Sequence, residues 1–313
     1  MTAQDLVPPV RIAVLVPCYN EAAAVAQVVR DFRAALPDSE IYVFDNNSTD
    51  GTAEIAQAAG ALVRREGRKG KGNVVRRMFA DVEADLYIMV DGDATYDASA
   101  APRLIAAALE GGYDMVNVAR VETAQKAYRP GHRFGNALLT GLVGRVFGTQ
   151  TADMLSGYKI FTRRFVKSFP AMSGGFEIET EIMIHALELG IPIGEISAPY
   201  GERPEDSASK LQTWRDGFRI LRMIGELIRR ERPLEFFGVA ALAMMLASLG
   251  LGLPVVFEFW ESGLVPRLPT ALLSAAIMLA ALMSFAVGLM LDAVTRSRQE
   301  LKRLAYLAIP PLR

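Results

Sequence analysis

Residues 86–93 read Leu86-Tyr87-Ile88-Met89-Val90-Asp91-Gly92-Asp93. Five apolar residues with no polar interruption form a strand short enough to be buried on both faces. Two carboxylates then follow, two positions apart, at the strand's end. Such a pair can share a hard divalent cation, and Gly92 lets backbone approach closely. The same pattern is also common in plain turns.

The sequence on either side repeats the theme. Arg11–Val16 is an apolar run stopped by Pro17, and Ile41–Phe44, Ala61–Val63 and Met115–Ala119 are further short strands. Helical periodicity fills Glu21–Leu36, Thr52–Ala59, Gly72–Val82, the stretch from Asp97 or Ser99 to Leu109, and Phe176–Leu189. Strands separated by helices predict a mostly parallel, doubly wound α/β sheet of Rossmann type. Ligands of such sheets bind beyond the C-terminal strand ends. The polar clusters Pro17–Glu21, Asp45–Asp50 and Asp91–Thr95 stand there. Arg68-Lys69-Gly70-Lys71-Gly72 reads as a flexible phosphate-contacting loop or as a solvated turn. Neither Gly-x4-Gly-Lys-Ser/Thr nor Gly-x-Gly-x-x-Gly after the first strand occurs, which speaks against a P-loop and a dinucleotide cofactor.

The C-terminal third is different. Phe236–Phe257 and Leu268–Leu291 contain no charged residue. Each is as long as the roughly 20 residues that cross a bilayer, so a transmembrane hairpin is expected over 234–292. Lys and Arg crowd Lys210–Arg232 and recur at Arg296, Arg298, Lys302 and Arg303, while the connection holds only Arg267. The positive-inside rule then expects both termini and the N-terminal domain in the cytoplasm. Met1–Val10 lacks a basic, then apolar, leader, so no signal peptide is expected. Leu211, Trp214, Phe218, Leu221, Ile224 and Leu227 make an amphipathic stretch, an interfacial or an ordinary packing helix over 211–233. The remaining divisions are a cytoplasmic domain over 1–210 and a basic tail over 293–313.

Composition narrows the function. Basic and acidic residues number 34 and 35, so no overall field draws nucleic acid. One cysteine, Cys18, precludes an internal disulfide framework and a cysteine zinc cluster, and His132 and His185 lie far apart.

Pro17-Cys18-Tyr19-Asn20-Glu21, Asp45-Asn46-Asn47-Ser48-Thr49-Asp50-Gly51-Thr52, Lys69-Gly70-Lys71-Gly72 and Asp91-Gly92-Asp93 occur in that order. Together they resemble the family 2 glycosyltransferases of GT-A fold. Asp153-Met154-Leu155-Ser156-Gly157-Tyr158-Lys159, Arg163-Arg164, Arg203 and Ser209-Lys210 resemble the branch that makes polyprenyl-phosphate sugars. Dolichol-phosphate-mannose synthases and bacterial undecaprenyl-phosphate glycosyltransferases belong to it. The resemblance covers roughly residues 11–232, and the paired spans match bacterial members of the inner membrane.

The resemblance implies that Pro17, Tyr19, Glu21 and Asp45 hold the nucleoside of a nucleotide-sugar donor. Lys71 and Asp91 would lie near its ribose or diphosphate, and Asp91 and Asp93 would hold Mg²⁺ or Mn²⁺. Thr95 stands where many relatives place a glutamine ligand. Arg203 and Lys210 would close over donor phosphates, on a loop one residue longer than the relatives' and without their glycine. The donor is read as a UDP-sugar.

On the acceptor side, Arg129 and Arg133, with Asn136, head an apolar segment, Ala137–Phe147, that could dip into the interface and fork onto a lipid phosphate. A core helix with surface arginines is the other reading. Glu177 or Glu179 could face the sugar. A phosphate monoester is already anionic at neutral pH, so an undecaprenyl phosphate acceptor needs no general base. Asp153 would then orient acceptor or sugar, or act as base toward a hydroxyl acceptor. The expected activity is inverting sugar transfer to a polyprenyl phosphate in the bilayer. Transfer to a hydroxyl of a glycolipid or glycan, and a non-catalytic membrane scaffold, are the alternatives. Association into a homo-oligomer through the spans is also expected.

Overall fold

A computed structural model describes residues 10–122, 141, 153–175, 177–201, 229 and 232–312. These residues fall into two compact units, Met1–Asp216 with Lys302–Arg313, and Gly217–Leu301.

The first unit is built on seven strands. They are β1 (Ile12–Cys18), β2 (Glu40–Asp45), β3 (Leu62–Arg65), β4 (Leu86–Met89), β5 (Met115–Glu122), β6 (Lys159–Thr162) and β7 (Ile193–Tyr200). Their spatial order is β3-β2-β1-β4-β6-β5-β7. All pairs are parallel except those of β6, which runs antiparallel between β4 and β5. The expected mostly parallel α/β sheet is therefore present, with one reversed strand that the apolar pattern did not show. At four residues β6 is too short for a period, and its charged first residue, Lys159, disguises it.

The helices are α1 (Val25–Ala35), α2 (Thr52–Ala58), α3 (Lys71–Asp81), α4 (Ala101–Glu110), α5 (Arg163–Ser168) and α6 (Ile178–Leu189). The first begins four residues later than its periodicity predicts. Glu21 instead heads a turn, its carbonyl accepting from Ala24 and Val25. Asp97 accepts from the backbone of Ser99 and starts the short 3₁₀ turn that leads into α4, the capping geometry acidic residues favour. The core is continuous from Val14, Val16 and Ile88 through Val28, Val29 and Phe32 to Leu104, Val116 and Ile160. Each such side chain contributes about 1.5–3 kcal/mol on burial.

His185, in the middle of α6, is buried, and among the described residues neither ring nitrogen has a hydrogen-bond partner. It packs against the edges of Phe165 and Phe169. Burial holds the imidazole neutral, with nearby Lys302 adding to the effect, and its pKa falls to about 4. The unfolded chain takes up this proton near pH 6.5. Stability is therefore lost as pH drops through the window between the two, about 2 kcal/mol of it by pH 5. His185→Phe is expected to remove that loss, seen as equal denaturation midpoints at pH 7 and pH 5 where the parent protein falls.

The second unit contains α7 (Pro233–Ser262) and most of α8 (Leu268–Leu307). Both are long and apolar enough to cross a membrane, and their apolar side chains are mostly exposed, Trp260 and Met283 among them. A soluble protein would cover them. Gly263, in the left-handed region, ends α7 with its N–H on the Phe259 carbonyl, and Arg267 pairs with Glu258 across the turn. Small residues bring the two helices together: the Ser248 hydroxyl donates to the Ser274 carbonyl at 2.7 Å, and Gly252 leaves room for Ser274. Pro254 lies inside α7 rather than near its end, a placement that membrane helices tolerate. The second helix outruns the apolar segment and continues to Leu307.

Candidate functional site

Three loops after β1, β2 and β3 are stitched into one surface. Asn20, in the left-handed region, turns the chain so that its N–H meets the Ser48 hydroxyl at 2.9 Å. Its side-chain oxygen accepts from Thr49 at 2.8 Å. Glu21 donates its N–H to Thr52, and Ala22 to Asp50. Asn46 ties in the third loop: its amide donates to the Glu66 and Arg68 carbonyls at 2.9 and 2.7 Å, and its oxygen accepts from Gly70 at 2.7 Å. Asn46 stands in the quoted motif, but the sequence alone assigns it no role. Its position one residue past Asp45 was the available signal.

Of the expected nucleoside-side residues, Asp45 and Glu21 are buried at these loop bases and Tyr19 is exposed at the mouth. The Ser48 N–H donates to both oxygens of the Asp45 carboxylate at 3.3 Å. Pro17 sits beside Phe44 in the β1–β2 register.

The basic loop is not the flexible tether its composition suggests. Gly72 donates its N–H to the Gly175 carbonyl at 3.1 Å. A Cβ on Gly70 or Gly72 would stand 2.1 Å from the Gly174 or Ser173 carbonyl oxygen, and Gly70 has φ +120°. Both glycines are there for close backbone contact, which holds Lys71 at the start of α3.

Lys71 reaches the acidic pair. Its ammonium contacts Asp91 at 2.5 Å and also pairs with Glu179 from the first turn of α6. Burial alone would lower the pKa of Lys71, but the two carboxylates outweigh it and raise it. Gly92 abuts Cys18, where a Cβ would lie 2.5 Å from Sγ. Asp91 rests on the bare Cα of Gly157, where a Cβ would lie 2.1 Å from its carboxylate. Asp93 is 2% exposed. It accepts from the Thr95 hydroxyl at 2.6 Å and from the Thr95 N–H at 3.2 Å. Thr95 in turn accepts from Gly201 beyond β7, and Gly157 donates to the Tyr96 hydroxyl.

Asp153 lies in a second buried cluster. Arg120, on β5, grips its carboxylate with Nε at 2.5 Å and Nη2 at 2.8 Å and stacks over the Tyr200 ring. Burial works against the charged form, but the Arg120 hydrogen bonds and charge prevail and hold the Asp153 carboxyl below its usual range. Lys159 is fully buried beneath, donating to Asn117 at 2.5 Å, and Asn117 donates to the Asp153 carbonyl and to Glu195. Burial lowers the Lys159 pKa to about 8. Arg120, Asn117 and Lys159 were not among the expected site residues. Lys159 closes a quoted motif, but Arg120 follows an apolar run that sequence reading ended at Ala119. Arg129, Arg133, Asn136, His132, Ala137–Phe147, Arg203, Lys210 and the amphipathic stretch over 211–233 lie outside the described residues.

Residues 13–169 match the description "Glycosyl transferase family 2". The chain belongs to glycosyl transferase family 2. Glycosyltransferase AglJ of Haloferax volcanii is 33% identical over 306 residues, 96% of this chain and 99% of that one. A dolichyl-phosphate hexose transferase of the same organism is 25% identical over 221 residues, 71% of this chain and 95% of its own. Among solved structures, glucosyl-3-phosphoglycerate synthase from Mycobacterium tuberculosis in complex with Mn²⁺, UDP-glucose and glycerol 3-phosphate has a TM-score of 0.55 at 23% identity. It covers 70% of this chain and 79% of that one. That likeness places the family 2 transferase among GT-A folds.

Proposed function

We propose that this family 2 transferase moves a sugar from a nucleotide sugar, read as a UDP-sugar, to a membrane polyprenyl phosphate with inversion. One observation carries the acceptor. The buried carboxylate that the sequence offers as a base, Asp153, is neutralised by a bidentate Arg120 and held ionised well below neutral pH. Asp91 and Glu179 are engaged as well, by Lys71, and Asp93 by Thr95. A hydroxyl acceptor needs a proton taken from it, whereas a phosphate monoester, with its second pKa at about 6, attacks as an anion. The name of the dolichyl-phosphate hexose transferase and the two apolar helices support the same acceptor.

In this reading a phosphate oxygen bonds to the anomeric carbon as the bond to the nucleoside diphosphate breaks, its electron pair leaving with the diphosphate. Glu21 and Asp45 hold the nucleoside, with Pro17 and Tyr19 at its edge. Arg203 and Lys210 supply charge over the donor phosphates, and Arg129, Arg133 and Asn136 take the lipid phosphate. A divalent cation fits the donor set of Asp91 and Asp93, which offers hard oxygens suited to Mg²⁺ or Mn²⁺. Among the described residues no third His, Cys, Asp or Glu joins them. Substrate oxygens and water would complete the sphere, as is usual for these ions. When bound, the ion supplies positive charge beside the leaving group. The charge flanks of the helices, under the positive-inside rule, support a cytoplasmic catalytic unit in this reading.

The test uses purified full chain in detergent with undecaprenyl phosphate, Mg²⁺ or Mn²⁺ and a panel of radiolabelled nucleotide sugars. Label in the lipid on thin-layer plates is the expected result. Label only in an added glycan acceptor, or in no product, would overturn the reading.

A further inference from the structure

The first unit is completed by the last turns of α8 and the residues after it. Lys302–Arg313 clusters with it, although more than a hundred residues separate this segment from β7. The contacts are specific. Lys302 places its ammonium 2.5 Å from Glu188, whose side chain is 1% exposed. Arg303 donates to the carbonyl of Leu189, the last residue of α6. Tyr306 is buried and its hydroxyl bonds to Asp114. Asp114 is held by a bidentate Arg164 at 2.5 Å for both bonds, and that guanidinium lies over the Tyr306 ring at 4.7 Å. Leu312 packs against the main core.

The two elements that receive these contacts also present the site. Helix α6 carries Glu179 at its first turn and Glu188 at its last, and most residues between are buried. One end is gripped by Lys71 and the other by Lys302. Nine residue steps of helix separate the two carboxylates, about 14 Å along a stiff, packed rod. Asp114 sits at the root of β5, which carries Asn117 and Arg120. We infer that Lys302 and Tyr306 are positioning residues. By pinning the far ends of α6 and β5 they fix Glu179 against Lys71 and Arg120 against Asp153. The inference rests on the proposed reading in assigning catalytic meaning to those pairs; the mechanical coupling itself does not.

Amide hydrogen exchange on the full chain in detergent tests it without any substrate. In Lys302→Met, exchange is expected to quicken about tenfold or more at 178–183 and at 71–75, far from the substitution, because a buried carboxylate has lost the Lys302 ammonium. Lys302→Arg should return both segments to parent rates, as should the exchanged pair Lys302→Glu with Glu188→Lys. The milder Tyr306→Phe, which keeps the ring under Arg164, should quicken exchange along 115–120. Faster exchange confined to 186–190 and 300–312 would overturn the inference, as would failure of Lys302→Arg to restore 71–75. Loss of sugar transfer in the parent would sink the proposed function and leave these rates to decide the coupling.

Discussion

Asp93→Asn is expected to leave the fold intact and to lower sugar transfer about a thousandfold. The fold survives because the amide keeps an oxygen in the same place. The Thr95 hydroxyl and N–H, both of which donate to Asp93 Oδ1, still find their acceptor. What disappears is a negative charge on a side chain buried at a strand end. If that charge holds a cation beside the departing diphosphate, its removal forfeits transition-state stabilisation of the size seen when one preorganised charge partner is deleted, about 10²–10³ in rate, and the bound ion as well. Two measurements check it: initial rates of lipid labelling, and Mn²⁺ binding by calorimetry in the presence of nucleoside diphosphate. Parent-like rates in the variant would remove Asp93 from the chemistry.

Lys71→Met should be the most destabilising single change in the site. It deletes an ammonium that Asp91 and Glu179 share and puts a methyl group in its place. Breaking a buried pair by removing one partner costs about 3–5 kcal/mol. For a domain of this size that is a fall of roughly 10 °C in Tm. The pH dependence carries the sign. In the variant, two like charges brought together raise a carboxylate pKa above its unfolded value. The folded state then binds the extra proton, and stability rises as pH falls from 7 toward 5. Thermal melts at pH 7 and pH 5 should show that rise in His185→Phe/Lys71→Met and not in His185→Phe alone. The His185 background matters because the buried imidazole pulls stability the other way over the same range. A variant that melts like its parent at both pH values would show the ammonium to be dispensable.

Much of this was legible before any coordinates. The strands that carry the site are runs such as Leu86–Met89 and Ile12–Cys18, buried on both faces, and such runs announce themselves by composition. The polar clusters at their ends are punctuated by glycine and capping residues at fixed offsets, so Asp91, Asp93, Asp45 and Glu21 could be named. Length and absence of charge likewise marked both apolar helices.

Other features had no local signature. Lys159 begins a four-residue antiparallel strand, too short for a period. Arg120 earns its place only because Asp153, 33 residues on, folds back against it. The glycines of the basic loop suggested mobility, yet their missing side chains serve contact with Ser173 and Gly174.

The chain's order of apolar runs and polar ends determined the first five strands, the loops that could hold a ligand and the two greasy helices, because hydrophobic periodicity and turn chemistry act over a few residues. Only the tertiary structure decided who neutralises whom. The pairing of Lys71 with Asp91 and Glu179, of Arg120 with Asp153, and of Lys302 with Glu188 depends on side chains up to 114 positions apart. Coulombic and hydrogen-bond partners are chosen by distance in space, and burial sets how much each choice matters.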